Sequence, residues 1–423
     1  MDHVRKPNDR PISGDLLCLV PGNEWGERCH SRHRHGRLRR GLTHSRSPPG
    51  HGRRLRALSR VHRGAVWVKP DLLDISTEVP GPIAERWPDI SAAFKAYSRV
   101  IYAAVSVRGK EDAEAVADLV DLFFHEHGTP LTGKAKDRWE DRLEAIAGAV
   151  FPSITENQIV AILKERRFVV LEGPPGTGKT RLAFRVAEQL GSSTRIQFHA
   201  ARTYEDFVVG LFPRPTSAGL AFDVRPGDLM VANREAQNKP HVLVIDELNR
   251  TDLARVLGEA VLLFEAGETN RAVRLAHVPD GYPPELQLSP NLLVLGTRNT
   301  ADRTIARIDI AIRRRFAFVE MWPELDTVKK EGVDFAIDLF SDTIHTFAEF
   351  ADDDTLRLVP GHAYFLDPRP DMAPEGREDR VARRIQYELL PLLRDYLDEK
   401  LCGGSSEAIA GLADRVEARL SSR

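Results

Sequence analysis

Gly173-Pro174-Pro175-Gly176-Thr177-Gly178-Lys179-Thr180 decides the reading of this chain. The octet follows a β-branched apolar run, Phe168-Val169-Val170-Leu171. It precedes a stretch in which Leu182, Ala183, Val186 and Leu190 recur at helical spacing. It therefore joins a buried strand to a helix predicted over Thr180–Leu190. The spacing is that of G-x-x-x-x-G-K-[ST]. Glycines at these places let the backbone aim successive N–H groups at phosphate oxygens, and the helix opening at Lys179 adds the positive end of its dipole. An ammonium at 179 neutralises β- and γ-phosphates, and a hydroxyl at 180 is placed to ligate Mg²⁺. Gly173 to Thr180, with Arg181 beside them, form the candidate nucleotide-binding segment. The competing reading is a Gly-Pro turn that happens to precede a helix, and the agreement of pattern with context weighs against it.

Further along, Val242-Leu243-Val244-Ile245 runs into Asp246-Glu247. The apolar residues drive a buried strand, predicted over His241–Ile245, and leave two carboxylates at its C-terminal tip, where ligands of open α/β sheets bind. Asp246 is the candidate to hold Mg²⁺ through water, and Glu247 the candidate to polarise the attacking water. A lone Asp-Glu at a strand end is often a solvated turn; one that follows a P-loop lysine by 67 residues is far more specific. A third strand, Asn291–Leu295, leads into Gly296-Thr297-Arg298-Asn299-Thr300-Ala301-Asp302. The Asn299 amide could orient the water or touch the γ-phosphate, or it could be a plain turn and cap residue. Arg313-Arg314-Arg315-Phe316 is a charge run of the kind that is usually solvated. Phosphoryl transfer, however, needs a cation at the developing γ-phosphate charge, and a neighbouring subunit can supply it.

Strands alternating with helices imply a parallel sheet covered on both faces. The fold class is α/β, a P-loop parallel αβα sandwich over residues 151–325. Its opening helix, Gln158–Arg166, is announced by a capping box at Thr155 and Gln158. After it, Ala336, Phe340, Ile344 and Phe347 form one helical stripe, and Val381, Ile385, Leu389 and Leu393 another, giving a helical lid and tail over 326–423. Before it, Ala113, Val116, Leu119, Val120 and Phe123, then Trp139, Leu143, Ile146 and Val150, mark a small helical domain within 65–150. Residues 1–64 hold 15 Lys/Arg against 5 Asp/Glu, although the whole chain carries a net charge of only −2. This basic stretch lacks an apolar period, so it is expected to be disordered or an extension outside the folded protein; a nucleic-acid-binding tail is the alternative. Its histidines lack ligand-spaced partners for a metal. Cys18, Cys29 and Cys402 are too scattered for a disulfide framework or a zinc site, which suggests a reducing, cytoplasmic setting. No apolar run is long enough to span a membrane.

These motifs together resemble AAA+ ATPases of the MoxR/dynein-related branch, and within it the McrB-type motor subunits of methylation-dependent restriction systems. The resemblance is carried by the P-loop, Asp246-Glu247-Leu248-Asn249-Arg250, Asn299-Thr300-Ala301-Asp302-Arg303 and the arginine run. Tyr204-Glu205-Asp206-Phe207, Gly361-His362-Ala363-Tyr364-Phe365 and Tyr387–Leu393 add to it, so that it covers about residues 155–400. It implies a hexameric ring with nucleotide at the subunit interfaces. Asn299 would be the sensor, supported by Asp302 and Arg303, and the arginine finger would lie among Arg313–Arg315, at Arg314 or Arg315. It further implies a closing lid, a McrC-like nuclease partner and DNA as the substrate. The 84–150 stretch matches no modified-base reader. The expected nucleotide is ATP, with GTP open: Asn238-Lys239-Pro240-His241 lacks the acid of a guanine-reading motif, and the base is expected near Ile159–Leu163. The competing function is a MoxR-type remodelling ATPase acting on protein complexes.

Overall fold

A computed structural model describes residues 16–19, 51–62, 66–68, 103–106, 110–126, 131–217, 219–265, 267–301 and 308–423. The chain divides into two compact units, one of Met1–Phe151, Ile344–Leu356 and Arg394–Arg415, the other of Pro152–Thr343, Arg357–Leu393 and Val416–Arg423. Among the described residues no helix is long and apolar enough to cross a membrane.

In the first unit, helices His51–Val61, Lys110–Glu126 and Lys134–Val150 accompany a three-stranded antiparallel sheet of Leu16–Leu19, Ala103–Ser106 and Val66–Val68. The helix at 51–61 lies inside the basic stretch expected to lack structure. Leu55 and Leu58, one turn apart, are fully buried, as is much of Arg54. Two leucines at that spacing suffice once neighbouring helices offer a face to cover them. The helix Lys110–Glu126 also turns a different face inward from the one its apolar stripe suggests. Ala115, Asp118, Leu119, Asp121 and Leu122 are buried, whereas Ala113 is exposed. Ion pairing decides this. Asp118 lies 2.7 Å from His62 and 2.5 Å from Arg142, and Asp121 lies 2.5 Å from Arg138. A carboxylate with such partners can be buried in place of an alanine.

The second unit is built on a five-stranded parallel sheet. In chain order the elements are α1 (Glu156–Arg166), β1 (Phe168–Gly173), α2 (Lys179–Leu190), β2 (Ser192–Gln197), β3 (Val209–Thr216), β4 (Gly219–Pro226), α3 (Asp228–Glu235), β5 (His241–Asp246), β6 (Ala272–Arg274), β7 (Glu285–Gln287), β8 (Leu292–Asn299) and β9 (Ala317–Glu320). The sheet order is β9-β1-β8-β5-β2, and β3–β4 and β6–β7 are separate hairpins. The capping box holds as read: Gln158 N–H donates to Thr155 Oγ1 at 3.3 Å, and Thr155 N–H donates to Gln158 Oε1 at 2.8 Å. Strand β2 escapes a reading by apolar runs because it is a polar edge, Ser-Ser-Thr-Arg-Ile-Gln, and β9 because it is a four-residue edge. The β3–β4 hairpin escapes it for the same reason, its strands being mostly exposed.

Both faces of the central strands are covered, so alternate side chains fill two separate cores. Phe168, Val170, Leu243, Ile245, Leu292 and Val294 join Phe198, Phe207 and Phe264 on one side. Val169, Leu171, Val242, Val244, Leu293 and Leu295 join Ile159, Leu163, Leu182 and Val186 on the other. Ile159 and Leu163, expected beside the nucleobase, are thus core residues. The helices over 377–393 carry a four-residue apolar period. Val381, Ile385, Leu389 and Leu393 are all fully buried although they recur strictly every fourth residue. On an α-helix of about 3.6 residues per turn that spacing drifts off the face; a π-helical stretch, Ile385–Leu389, widens one turn and restores alignment.

Truncating a residue enclosed on all sides tests this packing. Leu295→Ala, at the centre of β8, is expected to cost about 2–5 kcal/mol of unfolding free energy by chemical denaturation. A loss under 1 kcal/mol would contradict the buried position.

Candidate nucleotide-binding and hydrolysis site

Parallel register brings the motif residues to one edge of the sheet. Asn299 pairs with Gly173 across β8 and β1, and Gln197 with Asp246 across β2 and β5. Strand tips 49 to 126 residues apart in sequence therefore meet. The loop between β1 and α2 takes the shape its glycines permit, with positive φ at Gly176 (78°) and Gly178 (73°). At Gly173 the constraint is space: a Cβ there would sit 2.1 Å from the Met321 carbonyl oxygen. Thr177 Oγ1 donates to Pro174 O at 3.0 Å, tying the loop to itself.

The Lys179 ammonium is buried beneath the loop, donating to Gly173 O at 3.0 Å and Pro174 O at 2.7 Å. Burial lowers its pKa to about 8, against the opposing pull of the Glu247 and Asp246 carboxylates. Those acids sit where the sequence places them. Asp246 Oδ1 accepts from Thr180 Oγ1 at 2.8 Å and from Thr297 Oγ1 at 2.5 Å. Thr297 in turn accepts the Glu247 N–H at 3.2 Å. Glu247 takes a left-handed backbone conformation, φ 55° and ψ 47°, which costs a non-glycine residue energy and marks a position held by its surroundings.

Asn299 Nδ2 donates to Glu247 Oε1 at 3.0 Å, and Arg250 Nε lies 3.3 Å from Oε2 without forming a hydrogen bond. The Asn299 amide is thus directed at the Glu247 carboxylate. Glu247 Oε2, Asn249 Oδ1 and Thr300 Oγ1 remain buried polar atoms without a hydrogen-bond partner. Such orphans concentrated at one place call for a ligand or water. Thr180 and Asp246 offer adjacent hard oxygens, the donor set Mg²⁺ prefers, and they would hold it where it neutralises phosphate charge. No cluster of three His, Cys, Asp or Glu able to hold a metal occurs among the described residues.

The arginine run separates into three environments. Arg313 Nη2 lies 3.4 Å from Glu172 Oε1, and its guanidinium stacks 4.4 Å over the Phe318 ring. Arg315 is buried and donates to Ala311 O. Arg314 is exposed and makes no ion pair with any described residue. Arg181, on the first turn of α2, is exposed. Asp302 and Arg303 lie outside the described residues.

Reading motifs alone missed several participants. Thr297 carries no motif signal of its own, yet its hydroxyl links Asp246 to the Glu247 backbone. Glu172, next to the first P-loop glycine, is buried and paired with Arg298 at 3.0 Å as well as with Arg313; a charged residue ending an apolar strand was its available signal. The Asn238–His241 stretch is structural: His241 opens β5, its ring nitrogens 2.9 Å from the hydroxyls of Ser192 and Thr194. Tyr204–Phe207 is a short helix with its own capping box at Thr203 and Asp206, and Phe207 lies in the core.

Sheet order, glycine loop, buried ammonium and paired acids define a P-loop nucleoside triphosphatase. Comparison with known proteins narrows the class. The AAA domain of the dynein-related subfamily matches residues 168–316. The EcoKMcrB subunit of the type IV methyl-directed restriction enzyme of Escherichia coli (strain K12) is 31% identical over 364 residues, 76% of this chain and 75% of that protein. Subunits of the RuvB Holliday junction branch migration complex match less of the chain. The one from Levilactobacillus brevis is 28% identical over 42% of this chain and 44% of its own length. The one from Corynebacterium aurimucosum is 29% identical over 59% of this chain and 54% of its own. The chain belongs to the dynein-related AAA+ ATPases of the McrB family.

The Thr297 hydroxyl gives a direct test of the strand-tip network. Thr297→Val keeps the shape but strands the Glu247 N–H and removes a donor from Asp246. The expected outcome is a stability loss of about 1–3 kcal/mol by denaturant titration, together with slower nucleotide hydrolysis.

Proposed function

We propose that this chain is a nucleotide-driven ring motor serving a modification-dependent DNA restriction system. The observation that carries the reading is the match to the EcoKMcrB subunit across three-quarters of both chains, joined to a P-loop and acid pair that are complete in this chain. The weaker likeness to branch-migration subunits points in the same direction, toward DNA. In this reading the P-loop residues 173–181 bind the triphosphate of ATP, with GTP as the other candidate. Lys179 neutralises the β- and γ-phosphates. Glu247, held by Asn299 and Arg250, orients the attacking water. Arg314 is the finger: it alone of the three arginines is exposed and uncommitted to a described partner, so it is the one able to reach an adjacent subunit's γ-phosphate. Six copies form the ring, residues 326–423 include the lid, the work is done in the cytoplasm, and a McrC-like nuclease subunit is the partner.

Catalytic roles separate cleanly by measurement. Lys179→Ala is expected to lose nucleotide binding. Glu247→Gln is expected to retain binding while hydrolysis falls by about 10²–10⁴-fold. Equal turnover by both variants and wild type would refute the assignment. Arg314→Ala should bind nucleotide but hydrolyse about 10³–10⁵-fold more slowly. Mixed with Lys179→Ala subunits it should regain part of the activity, because each variant supplies what the other's interface lacks; no recovery on mixing would refute a finger acting between subunits.

The alternative is a MoxR-type remodelling ATPase acting on protein complexes, and DNA discriminates the two. A restriction motor should form nucleotide-dependent rings on size-exclusion chromatography, prefer ATP or GTP in a hydrolysis panel, and translocate or bind DNA with a nuclease subunit. Hydrolysis indifferent to DNA, with no nuclease subunit copurifying, would favour remodelling.

A further inference from the structure

Between the helices of the C-terminal part, a short turn at His362–Phe365 lies directly on the phosphate loop. Two backbone bonds fix it there: Gly361 N–H donates to Pro175 O and Ala363 N–H to Gly176 O, both at 2.9 Å. The approach is closer than side chains would allow. A Cβ on Gly361 would fall 2.0 Å from the Gly176 carbonyl carbon, and a Cβ on Gly176 would fall 2.8 Å from the Tyr364 ring. Glycine at both positions is what lets the two segments touch.

This contact sets His362 over the loop. Its Nε2 stands 3.4 Å from where a Cβ on Gly178 would be, and its Nδ1 accepts the Glu324 N–H at 3.3 Å. An imidazole that accepts at Nδ1 carries its proton on Nε2 when neutral. Burial foremost, with Arg181 and Lys179 adding to it against an opposing pull from Glu331, lowers the His362 pKa to about 4, so the ring is neutral at physiological pH. The result is a single N–H donor of fixed tautomer facing the phosphate cradle. Its place along the cradle follows from the loop's polarity. Lys179 serves the β- and γ-phosphates, whereas the backbone amides around it close on the α- and β-phosphates. His362 lies beside Gly178, close enough for the charges of Arg181 and Lys179 to act on it, and so on the stretch of loop whose amides would serve the α- and β-phosphates.

We propose that His362 is a nucleotide-binding residue, its Nε2–H donating to a non-bridging oxygen of the α- or β-phosphate. A turn lying 180 residues or more beyond the P-loop in sequence thereby completes the binding site, and nucleotide binding pulls on the segment that carries it. The proposal rests on the nucleotide reading above.

Two substitutions exchange the ring's two functions. His362→Asn keeps an acceptor where Nδ1 meets Glu324 and loses the distal donor. His362→Gln keeps an amide donor near the Nε2 position and loses the acceptor. With ADP as the probe in isothermal titration, His362→Asn is expected to bind about tenfold more weakly than wild type, and His362→Gln within about threefold of it. A purely structural histidine would give the reverse order, with Asn tolerated and Gln impaired; that order, or wild-type affinity in His362→Asn, would overturn the proposal. The wild-type protein supplies a check independent of any variant's folding. The ¹⁵N and ¹H resonances of His362 Nε2–H should shift on adding ADP, and resonances that stay fixed under saturating ADP would overturn the proposal as well. Wild-type protein that binds neither ADP nor ATP would overturn the nucleotide reading itself, an outcome distinct from wild-type binding with His362→Asn unaffected.

Discussion

Asp246 Oδ1 accepts hydrogen bonds from two hydroxyls, Thr180 at the start of α2 and Thr297 near the tip of β8. Through this one oxygen the P-loop helix, the central strand β5 and the neighbouring strand β8 are held at a common level. Thr297 passes the constraint on by accepting the Glu247 N–H, and Asn299 closes the circuit by donating to the Glu247 carboxylate. The left-handed backbone at Glu247 is sustained by this circuit. A strained residue persists only where several partners agree on its position, and here they do so at Glu247.

The circuit is possible because the sheet is parallel and buried on both faces. Parallel strands place all their C-terminal ends at one edge, and the two apolar cores that cover the sheet forbid a slip in register, since a slip of one residue would exchange the faces. Packing energy spread over Val169, Val170, Val244, Leu243, Val294 and Leu295 is thus what sets the distances among the polar residues at the strand tips. Below the loop, the same burial lowers the affinity of Lys179 for its proton while the two nearby acids oppose that effect. A triphosphate entering this place would add negative charge and favour the ammonium.

Charge is used differently at the margins. Glu172, one residue before the P-loop, gathers Arg298 and Arg313, and so connects the phosphate loop to β8 and to the arginine run. Arg315 is committed to the backbone of its own segment. What distinguishes Arg314 is that neither of these interactions holds it. The π-helical widening at Ile385–Leu389 has a comparable logic: it lets a four-residue apolar repeat stay on one face, so that Val381, Ile385, Leu389 and Leu393 pack together beside the turn that rests on the P-loop.

Local chemistry made much of this legible in one dimension. The P-loop, the acid pair, the capping box at Thr155 and the three central strands are each specified by residues close together in sequence, because backbone conformation at glycine, helix capping and continuous apolar runs are short-range effects. Edge strands β2 and β9 were not legible, since half-exposed strands need no apolar run. Nor was the inward face of the Lys110–Glu126 helix, where ion pairs with distant residues override the apolar stripe. The separation of Arg314 from its neighbours, the role of Thr297 and the seat of His362 on the phosphate loop were decided only in three dimensions. Each depends on contacts between segments tens to hundreds of residues apart, and no periodicity or spacing encodes which side chain will find a partner there and which will be left facing outward.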